Sequence, residues 1–245
     1  TENMLIENHQ ALKIKNGEKK IIKIFGKRYL NSNTIDIPGD PSSAAFFTAL
    51  TLLNKNSSLK IKNVGLNPTR IGFYELLKKH GAKIKFKNIK KSNNEIYGDI
   101  HVDSNEIKPI KASKKYYTKA TDEYPILFVI AALTQGTSIF RGIGDLANKE
   151  SNRIKEMQII LRQIGIKSSA SKNEVKIYGK KFLNIENKKL NVPNLGDHRI
   201  CMSTLILSLI TGVKAKINNF ETVYTSSPSF LKIIKSLGGK FEIKK

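Results

Sequence analysis

The fold is decided by a stretch that occurs three times with variations: GDPSSAAFFTALTLLN at residues 39–54, TDEYPILFVIAALTQG at 121–136 and GDHRICMSTLILSLITG at 196–212. Each copy has an aspartate near its start, at Asp40, Asp122 and Asp197, and then runs apolar for about three helical turns. Because the runs are apolar nearly all round, we predict three buried helices. An aspartate before a helix is a common N-cap, and capping alone is enough to explain each of the three.

A second repeated pattern lies further along each unit. It reads ELLKKHGAKIKF at residues 75–86, IILRQIGIKSSA at 159–170 and KIIKSLGGKFEI at 232–243. Each predicts an amphipathic helix that ends at a glycine in the left-handed conformation, Gly81, Gly165 or Gly238, followed by a strand that contains lysine. Short β-like runs such as SLKIKNVGL and TSIFRGIG lie between the two helices of a unit.

The two patterns together predict an α/β protein made of three βαββαβ repeats. Three buried helices enclosed by sheet, with threefold pseudo-symmetry, is the architecture that the repeat indicates. If the units pack symmetrically, the helix starts after Asp122 and Asp197 and the start near residues 149–153 lie at one end. Several helix N-termini would then converge on one anion-binding pocket.

The composition sets limits on the class of protein. A chain of 245 residues suits one large domain or two smaller ones, and 40% apolar residues can form a core. No apolar run reaches the length of a membrane-spanning helix, and the sequence shows no signal-peptide pattern. Cys201 is the single cysteine, which excludes a disulfide within the chain and disfavours a metal site built on cysteine. These features fit a reducing cytoplasm, without a membrane partner.

The net charge is large, at 43 − 20 = +23. Three interpretations stay open: a nucleic-acid-binding surface, a lysine-rich surface without specific function, and a site whose positive potential attracts small anions. The lysines are scattered and are not interleaved with aromatic residues of the kind that stack on bases. This distribution disfavours nucleic acid as a partner.

The segment NKESNRIKEM, at residues 148–157, concentrates charged and polar side chains before an amphipathic run. Lys149 and Arg153 lie four residues apart, so on a helix both would project from one face. A phosphate or carboxylate between them would relieve their repulsion, and helix starts favour anions. A solvated helix start is the alternative interpretation of the same residues.

Five motifs in order resemble the 5-enolpyruvylshikimate-3-phosphate (EPSP) synthase family. They are DIPGDPSSAAFF, GLNPTRIGFYELLKKHGAKI, TDEYPILFVIAAL, NKESNRI and GDHRICMS, and they extend over most of residues 37–230. DEYP and NPTR are similar to the glyphosate-tolerant bacterial class. The resemblance implies an enolpyruvyl-transferase-like lobe: an inside-out α/β barrel of three βαββαβ repeats, with buried parallel helices surrounded by sheet.

The resemblance also implies a domain organisation. The family has two similar lobes, and TENML at the start resembles a DHTEKML segment near the end of the front lobe. Residues 1–35 are therefore expected to be a remnant of the N-terminal lobe, and residues 36–245 the C-terminal lobe. The missing N-terminal lobe is the expected protein partner, the complete enzyme is expected to be a monomer, and this chain alone is expected to be inactive.

The activity that the resemblance implies is transfer of the enolpyruvyl group of phosphoenolpyruvate to the 5-hydroxyl of shikimate 3-phosphate, with release of phosphate. Asp122 matches the family's proton acceptor at that hydroxyl, and Glu150 matches the acid/base at the methylene carbon. Lys149 matches a cation near shikimate 3-phosphate, while Arg153 and Arg199 match the arginines that bind phosphoenolpyruvate. The reaction calls for no cofactor and no metal.

The chain departs from the family pattern at several positions. Asn152 stands where the family has aspartate, which we expect to weaken a supporting contact rather than the chemistry. Ser227 stands where phenylalanine is usual, and Thr225 where the enteric class has a lysine that binds phosphoenolpyruvate, so we predict no site there. His198 beside Arg199 is expected to be a neighbour or a hydrogen-bonding support.

Three other functions compete with this interpretation. A transferase acting on UDP-N-acetylglucosamine shares the implied fold, but the KES and DHR motifs disfavour it. A basic nucleic-acid-binding module related to the RNA-cyclase branch of the fold would bind duplexes with a steep salt dependence. A non-catalytic chain that folds but does nothing alone is the third.

Overall fold

The structure, a computed structural model, describes residues 2–7, 11–26, 36–92 and 94–243. Thr1, residue 35 and residues 244–245 lie outside the described residues, so the exact limits of the two predicted domains do as well. Within the described part of the chain, none of the helices is both long and apolar enough to cross a bilayer.

The α-helices, in chain order, are α1 (Glu2–Glu7), α2 (Pro41–Leu53), α3 (Gly72–Lys79), α4 (Tyr124–Ala132), α5 (Arg153–Gln163), α6 (His198–Thr211), α7 (Thr222–Ser226) and α8 (Phe230–Ser236). Short 3-10 helices span Lys114–Lys119, Thr121–Glu123 and Gly144–Asn148. The strands are β1 (Leu12–Lys15), β2 (Ile21–Ile24), β3 (Ser58–Gly65), β4 (Lys83–Ser92), β5 (Glu95–Asp103), β6 (Lys111–Ala112), β7 (Gly136–Arg141), β8 (Lys167–Ala170), β9 (Glu174–Gly179), β10 (Lys189–Val192) and β11 (Lys214–Ile217).

The three helices α2, α4 and α6 form the centre of the molecule. They contact one another pairwise, and every residue of α4 is buried. Beyond the first turn their sequences contain no charged residue, so that part of each helix can be surrounded by protein without burying charge. The prediction of three buried helices is confirmed.

The amphipathic helices α3, α5 and α8 lie outside this centre with one face in the core. Each ends just before a glycine with positive φ, at Gly81 (97°), Gly165 (82°) and Gly238 (87°). Glycine occupies these positions because a Cβ is disfavoured in the left-handed region. The predicted C-terminal glycines are confirmed.

The strands are hydrogen-bonded in four small sheets. The orders are β3-β5-β4, β6-β7-β9-β8, β10-β11 and β1-β2, so each unit has its own sheet. In the second unit β7 pairs antiparallel with β9, with Phe140 opposite Val175, and both side chains face the core. Closure of these sheets into a barrel and a parallel direction of the central helices stay predictions.

The order of strands within a unit differs from the predicted βαββαβ. One strand rather than two lies between the central and the amphipathic helix, namely β3, β7 or β11, and further strands follow the amphipathic helix. In the first two units these include the antiparallel hairpins β4–β5 and β8–β9. The β-like segments that follow Gly81 and Gly165 are each long enough for two strands. The chain reverses direction within them at residues such as Asn94, which has φ 57°. No strand follows α8 in the residues described through 243, where the third lysine-containing strand was predicted.

Candidate functional site

The predicted site residues come from the starts of three elements. Asp122 lies in the 3-10 turn Thr121–Glu123 that leads into α4, Arg153 is the first residue of α5, and Arg199 is the second residue of α6. Pro125 fixes the first turn of α4, where its missing N–H costs nothing. The predicted convergence of these helix starts is confirmed by the contacts between their side chains.

Arg153 is the centre of the cluster. Its Nε lies 3.0 Å from Asp197 Oδ2, its Nη2 lies 2.6 Å from Glu150 Oε2, and its Nη1 lies 3.4 Å from Asp122 Oδ1. The side chain is only 1% exposed. A planar guanidinium can hold three carboxylates at once because its five N–H donors point in fixed directions. Arg153 therefore connects the residues that precede α4, α5 and α6.

Burial and pairing act against each other on the charges of this cluster. Burial disfavours the charged form of Arg153, but the hydrogen bond and attraction of Asp197, with Glu150 and Asp122, outweigh burial and raise the pKa of Arg153. Burial likewise raises the pKa of Asp197, but bonds from Arg153, Ser151 and the backbone of Arg199 outweigh it, so the net pKa is lowered. Both groups are therefore ionised at neutral pH.

Arg199 shares Asp122 with Arg153, since its Nη2 lies 3.4 Å from Asp122 Oδ2. The Arg199 side chain is 8% exposed, and its Nε and Nη1 atoms are buried without a hydrogen-bond partner among the described residues. Buried donors without partners are costly, and those of a guanidinium more than most. Oxygen atoms of an anionic ligand are the partners that such donors favour.

Lys149 lies at the flank of the cluster rather than beside Arg153 on a helix. Lys149 follows the 3-10 turn Gly144–Asn148 in extended conformation, and α5 starts only at Arg153, so the prediction that both cations project from one helical face is wrong. The reason is the cap: the Asn152 side chain accepts a hydrogen bond from Lys155 N and sets the helix start there.

The Lys149 ammonium is held by Asp145, with Nζ 2.9 Å from Asp145 Oδ2. Tyr117 donates its hydroxyl to the same oxygen at 2.6 Å. Burial, this hydrogen bond and the charge of Asp145 raise the pKa of Tyr117. The Tyr117 ring also packs at a tilt against the ring of Tyr124 at the start of α4, with the two ring centroids 5.8 Å apart. Lys149 is thus connected to the site through Asp145 and Tyr117.

Capping explains some of the predicted residues and not others. Asp40 accepts a hydrogen bond from Ser43 N at 2.7 Å, and Asp197 accepts one from Arg199 N at 3.0 Å, so both are N-caps. Asp122 is not: α4 has no side-chain cap, and the Asp122 oxygens face Arg153 and Arg199. The side chain of Asp122 is 44% exposed, which leaves it open to a ligand.

Two residues of the site were not predicted. Asp197 had been interpreted as a helix start, yet it is fully buried and is the innermost partner of Arg153. Glu123, the residue after Asp122, is only 3% exposed, and its position in DEYP was the only signal for it. His198, beside Arg199, has an Nε2 without a partner among the described residues, and burial together with Arg199 lowers its pKa.

The departures from the family pattern have simple structural roles. Asn152 caps α5, a position where asparagine serves as well as aspartate. Thr225 donates its hydroxyl to Thr222 O within α7, and Ser227 is buried after that helix. Among the described residues, no group of three His, Cys, Asp or Glu side chains is arranged to hold a metal ion.

The fold and this cluster define the class of the chain. The enolpyruvyl transferase NikO from Streptomyces tendae superposes with a TM-score of 0.67 at 13% identity, over 94% of this chain and 50% of that protein, a likeness of fold alone. EPSP synthase from Acinetobacter baumannii superposes with a TM-score of 0.86 at 30% identity, over the whole of this chain and 55% of that protein. The fold is thus an enolpyruvyl-transferase fold, as predicted.

The sequence model of EPSP synthase (3-phosphoshikimate 1-carboxyvinyltransferase) matches residues 1–234. The chain belongs to this family. It is 35% identical to the 3-phosphoshikimate 1-carboxyvinyltransferase of Zymomonas mobilis over 91% of its length, and 36% identical to that of Persephonella marina over 94%. It spans about half the length of these curated relatives, 50% and 52%. Their names do not favour a transferase acting on UDP-N-acetylglucosamine.

Proposed function

We propose that this chain forms one wall of the active site of a 3-phosphoshikimate 1-carboxyvinyltransferase. The observation that carries the proposal is Arg199, whose buried Nε and Nη1 donors, beside Arg153 and Asp122, have no partner in the part of the chain that the structure describes. Phosphoenolpyruvate, with a carboxylate and a phosphate, is an anion that suits such donors. The substrates, shikimate 3-phosphate and phosphoenolpyruvate, are carried over from the family.

In the proposed reaction, the 5-hydroxyl of shikimate 3-phosphate adds to C2 of phosphoenolpyruvate. Asp122 accepts the hydroxyl proton, and Glu150 donates a proton to the methylene carbon, which becomes a methyl group. The tetrahedral intermediate then loses phosphate, and Glu150 takes a proton back from the methyl group. Arg153 and Arg199 bind phosphoenolpyruvate, and Lys149 stabilises negative charge near shikimate 3-phosphate.

The contacts of the cluster support these roles. Glu150 and Asp122, the two proposed acid/base groups, both contact Arg153 while remaining 48% and 44% exposed, so both are open to a ligand. A shared arginine holds two carboxylates in fixed positions, which proton transfer requires. The net charge of +23 then has the role of attracting small polyanions rather than nucleic acid.

The division of the chain belongs to the same proposal. Residues 36–245 form the C-terminal lobe, and residues 1–35 belong with the N-terminal lobe, which supplies the opposite wall of the cleft. The complete enzyme acts in the cytoplasm as a monomer, in the shikimate pathway. Because catalysis requires both walls to position the substrates, the chain alone has no turnover.

The test is phosphate release from shikimate 3-phosphate and phosphoenolpyruvate, with this chain mixed with the N-terminal lobe of a close relative. We expect turnover in the mixture and none from the chain alone. Asp122→Asn and Glu150→Gln should each lower kcat by about a hundredfold or more, as expected for loss of a general acid or base. Glu186→Gln, at an exposed position outside the site, is the matched control. An assembled mixture without turnover would overturn the proposal.

A further inference from the structure

Tyr117 is a partly buried tyrosine beside the site to which the proposed reaction gives no role. It lies in the 3-10 helix Lys114–Lys119, just before the turn that contains Asp122. Its hydroxyl donates to Asp145 Oδ2 at 2.6 Å, and the Lys149 ammonium lies 2.9 Å from the same oxygen. One carboxylate oxygen therefore joins a phenol to the cation that the proposed function assigns to shikimate 3-phosphate.

The ion pair between Lys149 and Asp145 is too exposed to fix the ammonium group by itself. The two side chains are 29% and 56% exposed, and a pair of this kind contributes little because water competes for both charges. Glu150, the next residue, also presents a half-exposed carboxylate, which is an alternative partner for a lysine side chain that moves freely. A fixed position for Lys149 therefore requires a second contact that holds Asp145.

Tyr117 supplies that contact from a fixed position. Its ring packs at a tilt against Tyr124, which is fully buried, and its backbone oxygen accepts a hydrogen bond from the Thr121 hydroxyl at 2.7 Å. Hydrogen bonds to an ionised acceptor are short and strong. The bond from Tyr117 is the first cause, before that from Lys149, that lowers the pKa of Asp145. Asp145 is thus ionised at neutral pH and held by an anchored donor.

The contacts of Tyr117 also place Lys149 relative to Asp122. Thr121, the residue before Asp122, donates to the backbone of Tyr117. The Tyr117 hydroxyl, at the other end of the residue, bonds the carboxylate that pairs with Lys149. The proposed proton acceptor and the proposed cation come from different segments, and Tyr117 contacts both. Because catalysis depends on the distances between such groups, a residue that joins them affects function.

We propose that Tyr117 is a positioning residue, which holds the Lys149 ammonium through Asp145 in the orientation that binds shikimate 3-phosphate. Tyr117 does not itself contact the substrate. The inference rests on the proposed function of Lys149 and adds a residue that neither family membership nor the reaction requires. Phosphoenolpyruvate is not affected, since the arginines proposed to bind it, Arg153 and Arg199, are paired with other carboxylates.

The first measurement uses this chain alone. NMR relaxation of the Lys149 side-chain nitrogen reports how well its ammonium group is ordered on the nanosecond timescale. We expect this group to be more ordered than the exposed ammonium of Lys155 in α5. Tyr117→Phe, which removes only a hydroxyl, should lower the order to the level of Lys155, and Asp145→Asn should do the same. Tyr116→Phe, which removes the hydroxyl of the neighbouring residue, is the matched control and should leave Lys149 ordered.

The second measurement is the kinetics of phosphate release by this chain assembled with the N-terminal lobe of a close relative. We expect Tyr117→Phe to raise KM for shikimate 3-phosphate about tenfold, the effect of one misplaced charged contact, and to change kcat and KM for phosphoenolpyruvate less than about twofold. A merely structural defect would instead lower kcat through loss of active protein. Asp145→Asn should have the same effect on KM, and adding Tyr117→Phe to it should raise KM no further, because both substitutions act on the same ammonium group.

Unchanged order of Lys149 in Tyr117→Phe, or an unchanged KM for shikimate 3-phosphate, would overturn the role of Tyr117. So would effects that multiply in the double variant, because Tyr117 would then contact the substrate directly. If Tyr117→Phe fails to fold, Asp145→Asn remains a test, since an unchanged KM in that variant leaves Tyr117 no route to Lys149. Absence of turnover from every assembled mixture, wild type included, would overturn the proposed function, while the NMR relaxation still decides whether Tyr117 holds Lys149.

Discussion

Arg153 is the residue on which the stability of the site depends most, because it is almost fully buried among three carboxylates. Replacing one member of a buried ion pair leaves the other charged and unpaired, and here Asp197 has no access to water. The planar shape of the guanidinium matters as much as its charge, since an ammonium group cannot contact Asp197, Glu150 and Asp122 in the same plane.

We therefore expect Arg153→Met to lower the free energy of unfolding by about 3 to 5 kcal/mol. Adding Asp197→Asn to this variant should recover part of the loss, because the unpaired charge is then gone. The measurement is urea denaturation of the chain and its variants. Arg162→Met, at the exposed end of the same helix, is the control and should change stability by less than about 0.5 kcal/mol. Equal effects of the two arginine substitutions would contradict the central role of Arg153.

The raised pKa of Glu123 predicts how the free energy of unfolding depends on pH. Its pKa is raised to about 7 in the folded chain, so the folded state binds the proton more tightly than the unfolded state. The stabilisation by this group is complete below its unfolded pKa and is lost as pH rises through the folded value, by about 3 kcal/mol at most. Urea denaturation across this range measures the free energies of unfolding of the wild type and of Glu123→Gln. As pH rises, the wild type should lose stability relative to the variant. A difference that does not change with pH would contradict the buried, protonated state.

The sequence predicted which residues belong to the site better than it predicted how they are arranged. Asp122, Glu150 and Arg153 were predicted as site residues, and both carboxylates contact Arg153. The burial of Arg153 could not be predicted, because an arginine in the first turn of an amphipathic helix is exposed in most proteins. Its burial depends on Asp197, 44 residues away in the chain, and such long-range pairing leaves no local signal.

At the scale of elements, helix α4 and strand β9 approach unusually closely at Gly179. A Cβ at this position would lie 2.1 Å from the carbonyl oxygens of Ala131 and Thr134 at the end of α4. Backbone atoms cannot move aside as a flexible side chain can. The second unit therefore packs its own sheet against its own central helix through this glycine.

Gly179→Ala should lower the free energy of unfolding by about 3 kcal/mol or more, because helix and strand must separate. The matched control is Gly26→Ala, where a Cβ meets no atom within 4 Å. Thermal unfolding followed by circular dichroism compares the two. If both variants melt at the wild-type temperature, the close packing of α4 on β9 is contradicted.

Elements were predictable where a short stretch of sequence decides them. The central helices and the glycines after α3, α5 and α8 follow from periodicity and backbone sterics, both of which act within a few residues. The start of α5 was placed too early, since the choice of Asn152 as cap depends on the preceding 3-10 turn. The predicted order of strands was wrong for a related reason. A hairpin and two strands that pair elsewhere show the same alternation of apolar and polar residues, and only the pairing partners distinguish them.

At the scale of the whole molecule, the charge of +23 acts on stability. Like charges on the surface repel one another in the compact state and are screened by salt. We expect the melting temperature to rise by a few degrees between about 20 and 200 mM NaCl, across which the Debye length shortens markedly. Differential scanning calorimetry measures this. A melting temperature that falls with salt would instead mean that attractive pairs, such as those of Arg153, dominate the electrostatics.

The contact between α2 and α6 has a consequence for synthesis of the protein. The two helices lie side by side in the centre although about three-fifths of the chain separates them, and α4 contacts both. A nascent chain that has released only the first two units exposes α2 and α4 to solvent without their last neighbour. Contacts between such distant segments form slowly, and apolar helices exposed meanwhile invite aggregation. The third unit thus completes the core of the first two, and until it is synthesised the apolar surfaces of α2 and α4 lack their partner.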